Sequence, residues 1–203
     1  MMQMTKEVIK KYIPLYLSGS VLDVGAGNKK YKVFIEKYCE KYVTLDIQGD
    51  VDYVADASAM PIDNEVFDCA LSFQMFEHVK EPELIVSEIY RVLKKGGICI
   101  ATVPFMAPEH SDPYDFQRFT TYGFKSLFEK SGFKILNVEK YGGPATVFVE
   151  SIKFAYFSPY TSGKIKLKIG QKILRILYWL ASIIDRHRDS TSIYGNVVVV
   201  AQK

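Results

Sequence analysis

The stretch Ser20-Val21-Leu22-Asp23-Val24-Gly25-Ala26-Gly27-Asn28 constrains this chain more than any other. An apolar, largely β-branched run breaks into a Gly-x-Gly turn, and a helix-like segment follows from Lys29. Glycine permits a tight turn and lets a ligand approach the backbone closely. The first N–H groups of a helix lack intrahelical partners and face whatever sits on the turn. That order suits a nucleotide-like ligand, and the surrounding charge narrows the choice. A dinucleotide fingerprint places a third small residue three positions after its second glycine. Lys30 occupies that position here, and Asp23 lies two residues before the first glycine. A carboxylate there repels a pyrophosphate and attracts a cationic group. The plainer reading is a tight strand-to-helix turn with a solvated aspartate.

Strand and helix patterns alternate around this turn. Residues 5–17 read as an amphipathic helix with Val8, Ile9, Tyr12, Ile13 and Tyr16 on one face. Strands are expected at 20–24, 41–47, 51–55, 67–73, 98–103, 133–140 and 196–201. Helices are expected at 29–39, at 82–94 with Gly96-Gly97 as its stop, and from Thr120 or Thr121 to Lys130 with Gly132 closing it. Four of the strands are near-continuous apolar runs, as in a sheet covered on both faces. The expected class is α/β: a Rossmann-like, doubly wound, mostly parallel sheet. Ligands of such sheets lie beyond the carboxyl ends of the strands.

The 203 residues suffice for one well-buried domain plus a modest insertion. Cys39, Cys69 and Cys99 are widely spaced and show neither a disulfide framework nor metal-ligand spacing. No N-terminal segment has the order of a signal peptide, and no uncharged apolar stretch reaches the ~18 residues of a membrane span. A cytoplasmic protein is expected. The net charge of +3 does not by itself call for nucleic acid.

Further acids follow the turn at regular places. Asp46 ends the second strand, where an acid can accept from ribose hydroxyls, and Ile47 beside it can pack on an adenine face. Asp56 and Ala57 follow the third strand, and Asp56 is placed to accept from an adenine amino group. Phe73-Gln74-Met75-Phe76-Glu77-His78-Val79 follows the fourth, and Arg91-Val92-Leu93-Lys94-Lys95-Gly96-Gly97 precedes the fifth.

This ordered set, over roughly residues 20–140, resembles the class I S-adenosylmethionine (SAM) methyltransferases. Asp23-x-Gly25-x-Gly27 resembles their first motif, and SAM carries the ammonium and sulfonium that the charge requires. The resemblance implies a seven-stranded sheet with an antiparallel last strand. It implies SAM as cofactor, held by Asp23, Gly25, Ala26, Gly27, Asp46, Ile47, Asp56, Ala57, Phe73 and Gln74. In quinone-type O-methyltransferases an acid three residues before the Glu-His pair helps hold a metal. Gln74 stands there in this chain, and no metal is expected.

The long loop Pro104–Thr120 is the best clue to the reaction. Its pattern His-x-x-Pro-x-Asp-Phe-x-Arg-Phe-Thr resembles a methyltransferase subgroup associated with cell-surface glycan assembly. Methyl transfer to a hydroxyl needs alignment, exclusion of water and removal of a proton. His110 is the leading candidate base, with His78 its rival and Asp112 or Asp115 to orient it. Tyr114, Asp115 and Arg118 are candidate acceptor-binding residues. The alternative has His110 capping the loop while Arg118 pairs with Asp115 to hold it.

Residues 144–193 are an addition to the family core, which is expected at about 18–143 and 194–203. Residues 151–190 carry eight cations against two acids, a net +6 that leaves −3 elsewhere. Lys164, Lys166 and Lys168 precede Ile176–Ile184, an uncharged run with Tyr178 and Trp179. Phe148, Phe154, Tyr156, Phe157 and Tyr160 add aromatics. Basic residues before such a run suit an anionic lipid surface, with 164–184 making a peripheral contact on the inner face of the membrane. A lid helix or a homodimer contact are the alternatives. The expected function is methyl transfer from SAM to a small polar acceptor, a hydroxyl of a glycan or lipid-linked sugar. A non-catalytic SAM-fold module docked to a membrane or glycan-synthesis complex is the other class. An RNA methyltransferase fits less well, because no Asn-Pro-Pro-Tyr-type clamp occurs and the cations are interleaved with aliphatics.

Overall fold

A computed structural model describes residues 2–157, 168–186 and 192–203. A seven-stranded sheet runs in the order β3-β2-β1-β4-β5-β7-β6. Its strands are β1 (Ser20–Val24), β2 (Lys41–Asp46), β3 (Tyr53–Val54), β4 (Phe67–Phe73), β5 (Leu93–Pro104), β6 (Lys134–Tyr141) and β7 (Asn196–Gln202). β1 through β5 pair in parallel, and β7 runs antiparallel between β5 and β6. This is the expected architecture, with the last strand inserted in reverse.

The helices are α1 (Met2–Tyr16), α2 (Lys32–Ile35), α3 (Pro82–Val92), α4 (Thr121–Lys130), α5 (Pro144–Phe157) and α6 (Lys168–Arg186). Alternate residues of each strand feed two cores, as the pleat requires. Leu22, Val24, Ala101, Val103, Val197 and Val199 pack with Phe76, Phe124 and Phe128 on the α3–α4 side. Val21, Ile100, Val198 and Val200 pack with Val8, Ile9, Tyr12 and Ile13 of α1 on the other. Asp23 shares the parity of Val21, so its carboxylate points to the α1 face.

Three boundaries differ from the sequence pattern. α2 is a single turn, because the segment around it winds through i→i−3 bonds such as Lys32 to Lys29 and Tyr38 to Ile35. β3 is only two residues long. α3 stops at Val92, since Leu93 is already extended and pairs with Phe67. Gly96-Gly97 therefore lies inside β5, beside a register shift between Phe67 and Cys69, and does not end the helix. Thr120 caps α4 as expected, accepting from the Gly123 N–H at 3.0 Å.

The addition between β6 and β7 folds as α5 and α6 packed together. Asp185, at the end of α6, accepts from the N–H groups of Ala145 and Thr146, which are orphan donors at the start of α5. Leu174, Tyr178 and Ala181 are buried, whereas Ile173, Ile176, Leu177, Leu180 and Ile184 are exposed. Only one side of α6 is covered by protein. No helix among the described residues is long and apolar enough to cross a membrane. Lys164, Lys166 and Tyr160 lie outside the described residues, as do the side chains of Lys168 and Phe157.

Candidate functional site

The glycine turn leaves β1 at the carboxyl edge of the sheet. Gly25 has φ +75° and Gly27 φ +54°, conformations that glycine adopts at little cost. A Cβ at Gly25 would lie 2.5 Å from Met75 Cγ, so only a residue without one fits. The neighbouring strand end holds the turn in place. The N–H of Gly25 donates to Leu45 O at 2.8 Å, and that of Gly27 to Asp46 Oδ2 at 2.8 Å. The other Asp46 oxygen accepts from Ile47 N–H at 2.7 Å.

Two clefts meet at this turn and share Gly25 and Gln74. The smaller, about 280 Å³, is lined by Thr5, Asp23, Gly25, Ala26, Gly27, Tyr31, Phe73 and Gln74. The larger, about 740 Å³, is bounded by Asp46, Ile47, Asp56, Ala57, Gln74, Met75, His78, Tyr114 and Phe116. All ten residues expected to hold a cofactor line one or both. A third cleft of about 710 Å³ between α4, β6 and α6 shares no residue with them. Thr5, Met75 and Ile85 join the lining although the sequence did not single them out. For Thr5 the signal was the apolar face of α1, which foretold packing without saying against which side of the sheet.

Charge divides the two clefts. Asp23 is buried, and desolvation pushes its pKa up to about 6, opposed by the hydrogen bond from the Tyr42 hydroxyl. A cationic ligand group beside it would favour the carboxylate. Asp56 accepts from Ser58 N–H and Oγ at 2.8 Å each, which lowers its pKa. Gln74 sits at the junction in a left-handed conformation, φ +57°. Its N–H and its side-chain NH₂ donate to Thr102, while its buried Oε1 has no partner among the described residues. A strained, half-satisfied amide at a junction of clefts is a group placed to meet a ligand. The donor set thus fits SAM: a carboxylate for the ammonium, a glycine cradle, and acids for ribose and adenine.

The loop after β5 folds back onto the single 3-10 turn Phe76–His78. Phe116 N–H donates to Glu77 O at 2.8 Å, and Gln117 Nε2 donates to Val79 O at 2.7 Å. Inside the loop, Arg118 makes two hydrogen bonds to Asp115, 2.6 and 2.7 Å. Asp115 also accepts from His110 N–H at 2.8 Å. Asp115 and Arg118 therefore brace the loop, and Tyr114 is the member of the expected acceptor-binding trio that reaches the large cleft. Asp115, and not the exposed Asp112, stands beside the His110 ring, its Oδ2 3.4 Å from Nδ1.

This folding brings the two histidines together. Their rings meet edge to face with centroids 5.0 Å apart. Desolvation lowers the pKa of His110 below the ordinary imidazole value, which keeps it neutral near pH 7. Glu77 beneath them is fully buried, and burial pushes its pKa up to about 8.

Comparison with known proteins places this geometry. Residues 22–101 match the family model described as a methyltransferase domain. A ubiquinone/menaquinone biosynthesis C-methyltransferase of Pseudoalteromonas translucida is 33% identical over 84 residues, 39% of this chain and 33% of that protein. A cycloartenol-C-24-methyltransferase of Oryza sativa is 30% identical over 90 residues, 44% of this chain and 25% of that one. The chain thus spans a third or less of the length of both. Among solved structures, a SAM-dependent methyltransferase from Archaeoglobus fulgidus superposes with TM-score 0.62 at 16% identity, covering 98% of this chain and 93% of that one. The [4+2]-cyclase SpnF superposes with TM-score 0.64 at 20% identity, covering 98% and 79%. Residues 22–101 are thus similar to a methyltransferase domain, and the fold of the chain is the Rossmann-like one that these solved structures share.

Proposed function

We propose that this protein is a SAM-dependent methyltransferase that acts on a hydroxyl of a glycan or lipid-linked sugar. The observation that carries the reading is the pair of clefts joined at Gly25 and Gln74, with Asp23 in one and Asp46 and Asp56 in the other. SAM supplies a methyl group on a sulfonium, already attached to a good leaving group. The residues then have three tasks. Asp23 holds the ammonium end, Asp46 the ribose, and Asp56 with Ile47 the adenine. The braced loop closes over the large cleft and excludes water. The cluster of Glu77, His78 and His110 helps the acceptor hydroxyl to lose its proton.

The face of α6 bears on the acceptor. Ile173, Ile176, Leu177, Leu180 and Ile184 recur at helical spacing on an exposed stripe, with Trp179 beside it and Arg175 and Arg186 on the same helix. Such a face suits the boundary of an anionic bilayer, where a lipid-linked acceptor would be presented. The curated relatives named above are C-methyltransferases of a quinone pathway and of a sterol.

The experiment is incubation with methyl-labelled SAM and a polar lipid extract, followed by mass and NMR analysis of labelled products. An O-methylated sugar lipid, lost with His110→Ala while the variant still binds S-adenosylhomocysteine, is the expected result. Label on carbon would refute the hydroxyl reading. No transfer to any fraction, with cofactor binding intact, would favour a non-catalytic docking module.

A further inference from the structure

The cluster under the loop has the makeup of a metal site. One donor atom each from Glu77, His78 and His110 lies within 4.8 Å of the others. Ligand atoms around a bound zinc ion stand roughly 3–4 Å apart, so small side-chain rotations would close the set. His78 Nε2 is already 3.8 Å from Glu77 Oε1.

Two further observations point the same way. The first is the engagement of the rings. His78 Nδ1 lies 2.5 Å from the Tyr114 carbonyl oxygen, and His110 Nδ1 lies 3.1 Å from that of Pro108. A carbonyl only accepts, so each Nδ1 carries the proton and each Nε2 is left with a lone pair. Metal-binding histidines are oriented in this manner, by a backbone oxygen on the nitrogen that does not ligate. The second is the state of Glu77. Its side chain is 0% exposed, and neither carboxylate oxygen makes a hydrogen bond to another residue among those described. A buried polar group without a partner costs free energy that a cation would recover.

We propose that Glu77, His78 and His110 form a binding site for a divalent first-row transition-metal ion. Two imidazoles and one carboxylate select zinc, cobalt(II), iron(II) or manganese over calcium and magnesium. Three protein ligands leave coordination positions open, as in catalytic rather than structural sites. His78 lines the large cleft, so an open position lies beside that cleft. The third ligand comes from the loop after β5, which explains why residue 74, an amide, is not needed as an acid. Only the catalytic use of the ion, polarising the acceptor oxygen, rests on the methyl-transfer reading.

The test titrates tag-free, metal-stripped protein with cobalt(II), whose d–d absorption reports ligand number and type, and then displaces it with zinc. One equivalent is expected to bind with the spectrum of a mixed nitrogen–oxygen site. His110→Ala and Glu77→Gln should each weaken binding about tenfold or more while circular dichroism stays native. His110→Ala, on the loop, carries the test should Glu77→Gln fail to fold. No saturable binding to the wild type, or wild-type affinity in the folded variants, would overturn the site. S-adenosylhomocysteine binding, measured separately on the same samples, tells failure of the methyltransferase reading from failure of this one.

Discussion

Gly25 and Met75 come from different strand ends, and their contact leaves no room for a side chain at 25: a Cβ there would stand 2.5 Å from Met75 Cγ. Residue 25 also has φ +75°. Gly25→Ala should therefore cost about 1–2 kcal/mol from the backbone alone. It should also displace Met75 from the junction of the clefts. The expected outcome is a lower melting temperature together with weaker S-adenosylhomocysteine binding. Gly49→Ala also places a side chain at positive φ, but nothing lies within 4 Å of its Cβ. It should lower the melting temperature and leave ligand affinity unchanged.

With the ammonium end of SAM held as proposed, Asp23 should make cofactor affinity pH-dependent. Without ligand its pKa is raised from 3.8 to about 6, so the free protein holds a proton there that the ordinary carboxyl would have lost. The raised value means that this group favours folding below about pH 4, and that this contribution fades as pH rises through about 6. Binding an ammonium requires the ionised form. Affinity for S-adenosylhomocysteine should thus fall as pH drops below about 6, with proton release on binding near that pH. Tyr42→Phe removes the hydrogen bond that favours the carboxylate and should move the fall to higher pH. Calorimetry in buffers of different ionisation enthalpy measures both effects.

The Asp115–Arg118 pair should matter for turnover more than for cofactor binding. It holds the loop that carries His110 and Tyr114 but touches neither cofactor cleft. With Arg118→Met the loop loses both hydrogen bonds to Asp115. Misplacing reacting groups by about 1 Å can cost about 10²-fold in rate. A loss of that order in kcat, with S-adenosylhomocysteine affinity within about twofold of wild type, is expected.

The exposed stripe of α6 predicts salt-sensitive association with lipid. The protein should sediment with vesicles containing phosphatidylglycerol and be released as salt shortens the Debye length below about 10 Å. The double variant Ile176→Asp, Leu180→Asp should stay in the supernatant. Equal binding to neutral and anionic vesicles would remove the charge component, and no binding to either would remove the lipid contact.

Much of this was legible before the structure. β-Branched runs, a glycine turn and acids at strand ends specify the parallel sheet and its carboxyl edge, because each rests on local chemistry. What was not legible depends on contacts distant in sequence. Gly96-Gly97 looked like a helix stop, but pairing of Leu93 with Phe67 draws the chain into β5 five residues early. The apolar run of α6 left a lid, a dimer contact and a lipid face open, and its pattern alone did not tell that Leu174, Tyr178 and Ala181 are the covered side. The meeting of His78 with His110 needed the loop to fold back over 32 residues of chain, through bonds from Phe116 and Gln117 to the 3-10 turn. No spacing rule announces such a fold.

The most direct test of the account is calorimetric titration of the folded protein with S-adenosylhomocysteine, with Asp46→Ala as control. Micromolar binding at one site per chain, abolished in the variant, is predicted. A folded wild-type protein that takes up no S-adenosylhomocysteine would contradict the assignment of both clefts.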